Sequence, residues 1–138
     1  MSLIIDQDLP MEIFDVFRVA QITRGTPLER AVAVDLVTVA PGQTSEIHRH
    51  NGTDSVLLFT EGSGTIHVGG SSYGVRKGTR IIIGKGVFHG VSTEGEGLTF
   101  LSVQSPPILD EGRGVLDLEP PGCSMIAEGK SSRTRTES

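Results

Sequence analysis

The sequence predicts an all-β barrel or sandwich, on three observations. Glycine supplies 18 of 138 residues, and thirteen of these lie between Gly42 and Gly97. A glycine inside a helix costs about 1 kcal/mol relative to alanine, so long helices are excluded from that stretch. Short runs rich in Val, Ile and Thr recur between residues 31 and 103, each closed by Gly, Pro or Asn, which is the pattern of strands and turns. The dipeptide Gly69-Gly70 sits between two such runs, a signal for a two-residue hairpin turn.

Taken in order, residues 1–30 form an N-terminal arm that packs on the barrel or on a partner. Its polar start precedes Ile13, Phe14, Val16, Phe17 and Val19, a pattern that fits a short helix or an extended segment equally well. Residues 31–40 (AVAVDLVTVA) predict a strand closed by Pro41-Gly42. Both of its faces read as apolar, which predicts cover on both sides, by a second subunit, and hence a homodimer. Strands follow at 44–49, then 56–61 stopping at Gly62-Ser63-Gly64, then 65–68 and 72–76 flanking the Gly69-Gly70 turn. Further strands at 80–83, 89–92 and 98–103 end at Gly84-Lys85-Gly86, at residues 93–97 and at Ser105-Pro106-Pro107. Regular short strands of this kind indicate a closed or two-layer β fold. The barrel spans 31–107, a C-terminal extension spans 108–128, and residues 129–138 (GKSSRTRTES) read as a disordered tail.

Twelve basic residues against 17 acidic ones leave a net charge of −5. That argues against a nucleic-acid or anionic-membrane surface, which needs a basic face. No run approaches the ~20 apolar residues of a membrane span. Asp6, Asp8 and Glu12 stand where a leader would be basic and then apolar, so a cytoplasmic protein is expected. The one cysteine, Cys123, rules out a disulfide framework. No nucleophile-elbow or phosphate-loop pattern occurs.

The chemistry concentrates in four histidines, His48, His50, His67 and His89. Residues i and i+2 of a strand share a face, so His48 and His50 present two imidazoles side by side. Two readings are open: metal ligands, for which imidazole is well suited, or surface histidines on an exposed strand. His89 follows a glycine-rich turn and opens another strand, which can lie beside the first pair if the barrel closes. Three imidazoles would then converge on a site with open coordination positions. His67 alternates with Ile66 and Val68, is expected to point outward, and is assigned no role.

Gly42, His48-Arg49-His50, Ser55 and Gly62, at their spacing, resemble the first motif of the cupin family. Gly78, Gly84-Lys85-Gly86, His89 and Thr93 resemble the second, and residues 62–70 match the hairpin between them. Glutamate is usual where Ser55 stands, proline at Gly84 and asparagine at Thr93. The resemblance covers residues 32 to 104. It implies a double-stranded β-helix, a jelly-roll-like barrel, with a divalent metal (Fe, Mn, Ni or Zn) held by His48, His50 and His89. It further implies action on a small molecule, as an Fe(II)-dependent dioxygenase, as a metal-dependent lyase or isomerase, or as a non-catalytic binder of a sugar or organic acid.

Ser55 cannot supply the missing carboxylate. Asp54 is adjacent, but if Ser55, Leu57 and Phe59 face inward then Asp54 faces out unless a bulge re-aims it. A three-histidine site is therefore expected, with Asp54 and Ser55 as candidates for a fourth ligand or the site lining. Glu46 shares the parity of the histidine pair and is placed at the cavity mouth. Tyr73, Arg80, Phe100 and Gln104 are the candidate substrate contacts, Arg80 through a bidentate carboxylate pairing.

Overall fold

The computed structural model describes residues 3–110 and 115–120. Ten strands follow one another: β1 (Met11–Phe14), β2 (Phe17–Gln21), β3 (Ala33–Val39), β4 (Asp54–Val68), β5 (Ser71–Arg76), β6 (Arg80–Ile83), β7 (His89–Ser92), β8 (Leu98–Ser105), β9 (Leu109–Asp110) and β10 (Val115–Leu116). Among the described residues there is no helix, and so none long and apolar enough to cross a membrane. All pairings are antiparallel.

Two sheets share one long strand. The large sheet runs β1-β2-β3-β8-β4, with β6 on the other side of the first half of β4. The small sheet is β5, the second half of β4, and β7. β4 passes between them through a bulge between Phe59 and Glu61. The extra residue switches the inward parity, from the buried Ser55, Leu57 and Phe59 before it to the fully buried Ile66 after it. The break expected at Gly62-Ser63-Gly64 is therefore a bend within one 15-residue strand. Gly62 has φ +83°, and a side chain there would overlap the carbonyl of Gly97. Glycine permits both the left-handed backbone and the contact.

The N-terminal arm is extended. β1 and β2 form a hairpin whose tight turn places Asp15 at φ +55°, a conformation Asp tolerates better than most residues. The Asp15 carboxylate also accepts the Glu46 N–H at 2.8 Å. Phe17 enters the core, and β2 zips along β3 from Phe17↔Val39 to Gln21↔Asp35. The expected strand at 44–49 is reduced to single bridges, Thr44↔Ser92 and His48↔His89. β3 is covered from within the chain on one face only: Val37 and Val39 are buried, whereas Leu36 on the other face is 37% exposed.

The core lies between the sheets, built from Phe17, Val37, Val39, Leu57, Phe59, Phe100 and Leu98 of the large sheet and Ile66, Val75 and Val91 of the small one. Farther along the same inward face the rungs become polar. One reads Gln21–Asp35–Ser102–Leu57 and the next Ala33–Gln104–Ser55–Ile83. Apolar packing thus closes one end of the sandwich. A cavity of about 340 Å³ opens at the other, lined by these polar rungs and by apolar side chains of the core, Val37, Leu57 and Phe100 among them. Beyond β10 the chain returns across this end through Asp117–Pro120, with Glu119 bridged to Arg49. Cys123 and residues 129–138 lie outside the described residues.

Candidate metal centre

His48, His50 and His89 converge on the cavity, and all three are buried, 6–8% exposed. His48 and His89 face each other across an antiparallel bridge, exchanging N–H···O bonds of 3.0 and 2.8 Å. The turn Gly84-Lys85-Gly86 is pinned beneath them by a Gly86 N–H donated to the His50 carbonyl at 2.7 Å. The ring centroids are 4.5, 4.9 and 5.1 Å apart, and one nitrogen from each ring lies within 4.8 Å of the others.

Two of the rings have a fixed tautomer. His50 Nδ1 lies 2.7 Å from the Asp117 carbonyl and His89 Nδ1 lies 2.9 Å from that of Val87. A carbonyl only accepts, so both Nδ1 atoms carry hydrogen and leave the Nε2 lone pairs for a ligand. His48 is held through the backbone of Glu46. Burial, reinforced by the neighbouring rings, pushes His48 well below its ordinary value. Burial likewise lowers His50 and takes His89 down to about 4. All three are neutral at pH 7, the form that binds metal.

The remaining candidates divide by strand parity. Ser55, 4% exposed, lines the cavity. Asp54 points the other way and accepts the Lys85 N–H at 3.0 Å, so it braces the turn and is not a fourth ligand. Phe100 is buried in the cavity wall, edge-on to Phe17 and tilted against Phe59. Gln104 also lines it. Two candidates fall outside. Arg80 pairs with Leu58 on the outer face of the large sheet. Tyr73 sits on β5, which among the described residues has a neighbour on one side only, and stays 55% exposed. Glu46 is exposed and does not line the cavity, because its segment is not a regular strand that would carry parity from residue 46 to 48. His67 lies outward as expected, its nitrogens 2.9 and 3.0 Å from the hydroxyls of Ser72 and Ser92.

Asp35 escaped the sequence reading. It lines the cavity with no cation among the causes of its shift, and burial pushes it up to about 6 against a lowering hydrogen bond from Gln104. The available signal was parity: in AVAVDLVTVA, Asp35 shares a face with Val37 and Val39. Asp117 was also missed. Besides its carbonyl on His50, its carboxylate accepts the N–H groups of Asn51 and Gly52 at 2.8 and 2.7 Å.

The family model of the cupin domain matches residues 35–104, half of the chain, running from within β3 to within β8 and including all three histidines. The chain belongs to the cupin family. No curated protein matches the sequence. Among solved structures, this cupin is similar to a protein from Thermotoga maritima described as a predicted oxalate decarboxylase, with 18% identity over 72% of this chain and 95% of that one and a TM-score of 0.63. A sugar phosphate isomerase of the cupin superfamily from Silicibacter pomeroyi matches at 20% identity over 67% and 61% of the two chains, TM-score 0.58. The oxalate decarboxylase of Lactobacillus farciminis matches at 19% over 88% of this chain but 36% of its own, TM-score 0.65. At these identities the likeness establishes the cupin double-stranded β-helix and nothing finer.

Proposed function

We propose that this cupin is a metal-dependent enzyme acting on a small, oxygen-bearing molecule, with His48, His50 and His89 holding a divalent ion of the Fe, Mn, Ni or Zn class. One observation carries the reading. Three buried, neutral imidazoles, two with Nδ1 engaged by backbone carbonyls, offer nitrogens within 4.8 Å of one another at a cavity. That is a donor set such ions accept. When bound, the ion supplies Lewis acidity and an anchor for the ligand.

The chain's own residues do the rest. Ser55 stands where the cupin family usually has glutamate, so none of the candidate ligands is an anion that offsets a divalent charge, which favours an anionic or chelating ligand. Phe100, Leu57 and Val37 form an apolar wall that limits water. Ser102 and Gln104 offer hydrogen bonds to the ligand's polar groups. A carboxyl in the same cavity, Asp35, supports a lyase or isomerase over a dioxygenase, because it provides for proton movement. Two of the structural neighbours being described as a decarboxylase and an isomerase accords with this.

The proposal extends to a homodimer. On the outer face of the large sheet, Val34, Val103, Val56 and Ile82 stand in one register and Leu36, Leu101 and Leu58 in the next. A second copy, pairing face to face, would remove this aliphatic surface from water.

Incubating the protein, loaded separately with each of the four metals, with small hydroxy acids, oxo acids and sugars tests the reading. Product formation by NMR without oxygen uptake is expected. Oxygen uptake matched to substrate loss would replace the reading with a dioxygenase. Tight ligand binding by calorimetry without turnover would replace it with a binding module.

A further inference from the structure

Asp35 is poorly explained as a structural residue. Aspartate is among the least favoured residues in strands, and this one occupies an inward position on β3 between rungs that are otherwise apolar or neutral. Its hydrogen-bond partner is the Gln104 amide, whose Nε2 lies 3.4 Å from Asp35 Oδ2 but 2.7 Å from Ser102 Oγ. The first distance is long for a charged N–H···O bond. A carboxyl placed there to brace the wall would be better satisfied. Other carboxyls lining the cavity, Glu12 and Glu29, stand at its mouth with Arg24, 3.8 and 3.9 Å from its nitrogens. The groups that face Asp35 across the strands are Gln21 on β2 and Ser102 on β8, both neutral. The histidines are the other titratable groups of the cavity, and they too are neutral at pH 7.

We propose that Asp35 is the proton-transfer residue of this cavity and that its substrate carries a C–H bond next to a carbonyl, as in hydroxyketones and 2-oxo acids. This rests on reading the histidines as the metal centre. The Asp35 carboxylate takes the proton, the C–H electron pair becomes the C=C bond, and the carbonyl π pair moves to oxygen. The protonated Asp35 returns the proton to the same carbon as the carbonyl re-forms. In a hydroxyketone only, it can instead return it to the former carbonyl carbon, as the hydroxyl proton passes to the former carbonyl oxygen and the hydroxyl-bearing carbon becomes the new carbonyl. No oxidant or reductant is consumed. Gln104 acts through Asp35 as a positioning residue, by holding one carboxyl oxygen while the other faces the ligand. Lifted towards 6, the carboxylate is a stronger base than an ordinary aspartate and is still ionised at pH 7.

Two measurements test this, one of which needs no metal. A ¹³C NMR titration of the metal-free protein, with the resonance assigned through Asp35→Asn, should place the Asp35 carboxyl near 6, and higher in Gln104→Leu, where the lowering bond is gone. Titration near 4 would overturn the proposal. In the second, metal-loaded protein is incubated in D2O with hydroxyacetone, dihydroxyacetone, pyruvate and oxaloacetate, and deuterium entry at the carbon beside the carbonyl is followed. Wild type should exceed free metal at least tenfold. Asp35→Asn should lose at least tenfold with its metal content unchanged, Asp35→Glu should recover part, and the wild-type rate should rise with pH through about 6. Wild-type exchange in Asp35→Asn, or no exchange by metal-loaded wild type with any probe, overturns it. Failure to bind metal would instead sink the proposed function, and the NMR titration would still decide the state of Asp35.

Discussion

The buried ionisable groups of the cavity pull stability in opposite directions with pH. Asp35 has its folded value raised from 3.8 to about 6. The folded state therefore holds its proton more tightly than the unfolded chain, and this contribution is full below about 4 and lost as pH rises through 6. The histidines are lowered, so their contribution is full above 6.5 and lost as pH falls towards 4, where His89 protonates. Asp35→Asn should therefore melt several degrees above wild type at pH 7.5, with the gain shrinking to nothing near pH 4. Melting curves at the two pH values decide it, and an equal or negative shift at pH 7.5 would contradict the assignment. A stabilised but impaired variant is the common signature of a residue kept for chemistry. Strand parity made part of this site legible in the sequence. It placed His48 beside His50, set Ser55 inward and turned Asp54 outward. Parity gave no help with Tyr73, because that residue's strand turns out to be an edge, which the sequence does not state.

Among the elements, β4 carries the largest structural demand, since one strand must serve two sheets. Its two halves were legible separately, each with its own inward parity, but a bulge has no fixed sequence mark and the glycines after it read as a stop. Gly62→Ala tests the bend. The substitution puts a side chain on a left-handed backbone and into the Gly97 carbonyl, so it should cost at least about 3 kcal/mol, seen as a lower denaturant midpoint. A cost under 1 kcal/mol would show that the strand relaxes easily there. The returning segment at Asp117–Pro120 was illegible because the partners that place it at the site, Arg49, Asn51 and Gly52, lie more than sixty residues away. Asp117→Ala removes the carboxylate that caps the Asn51-Gly52 loop beside His50. It should lower stability by about 1–3 kcal/mol and weaken metal binding about tenfold, measurable by chemical denaturation and by competition with a chelator. Unchanged affinity would show that the loop holds His50 without it.

At the scale of the molecule, the all-β class followed from glycine spacing, because turns fix the ends of strands, and the double-stranded β-helix from the resemblance of two motifs to those of the cupin family. The proposed dimer would use the outer face of the large sheet. With Ile82 64% and Leu58 42% exposed, sedimentation velocity should return the mass of two chains, and Leu58→Lys with Ile82→Lys should return one without loss of the β-sheet signal. A wild-type monomer throughout the accessible concentration range would contradict the pairing. The proposed enzyme depends on the three histidines acting together as one metal centre. Elemental analysis after purification without chelator and loading with each candidate ion tests that most directly, on wild type, His48→Ala and His89→Ala. The account predicts about one equivalent of a divalent metal per wild-type chain and a loss of most of it in either variant. Wild-type protein with far less than one equivalent of any metal, and no difference from the variants, would contradict it.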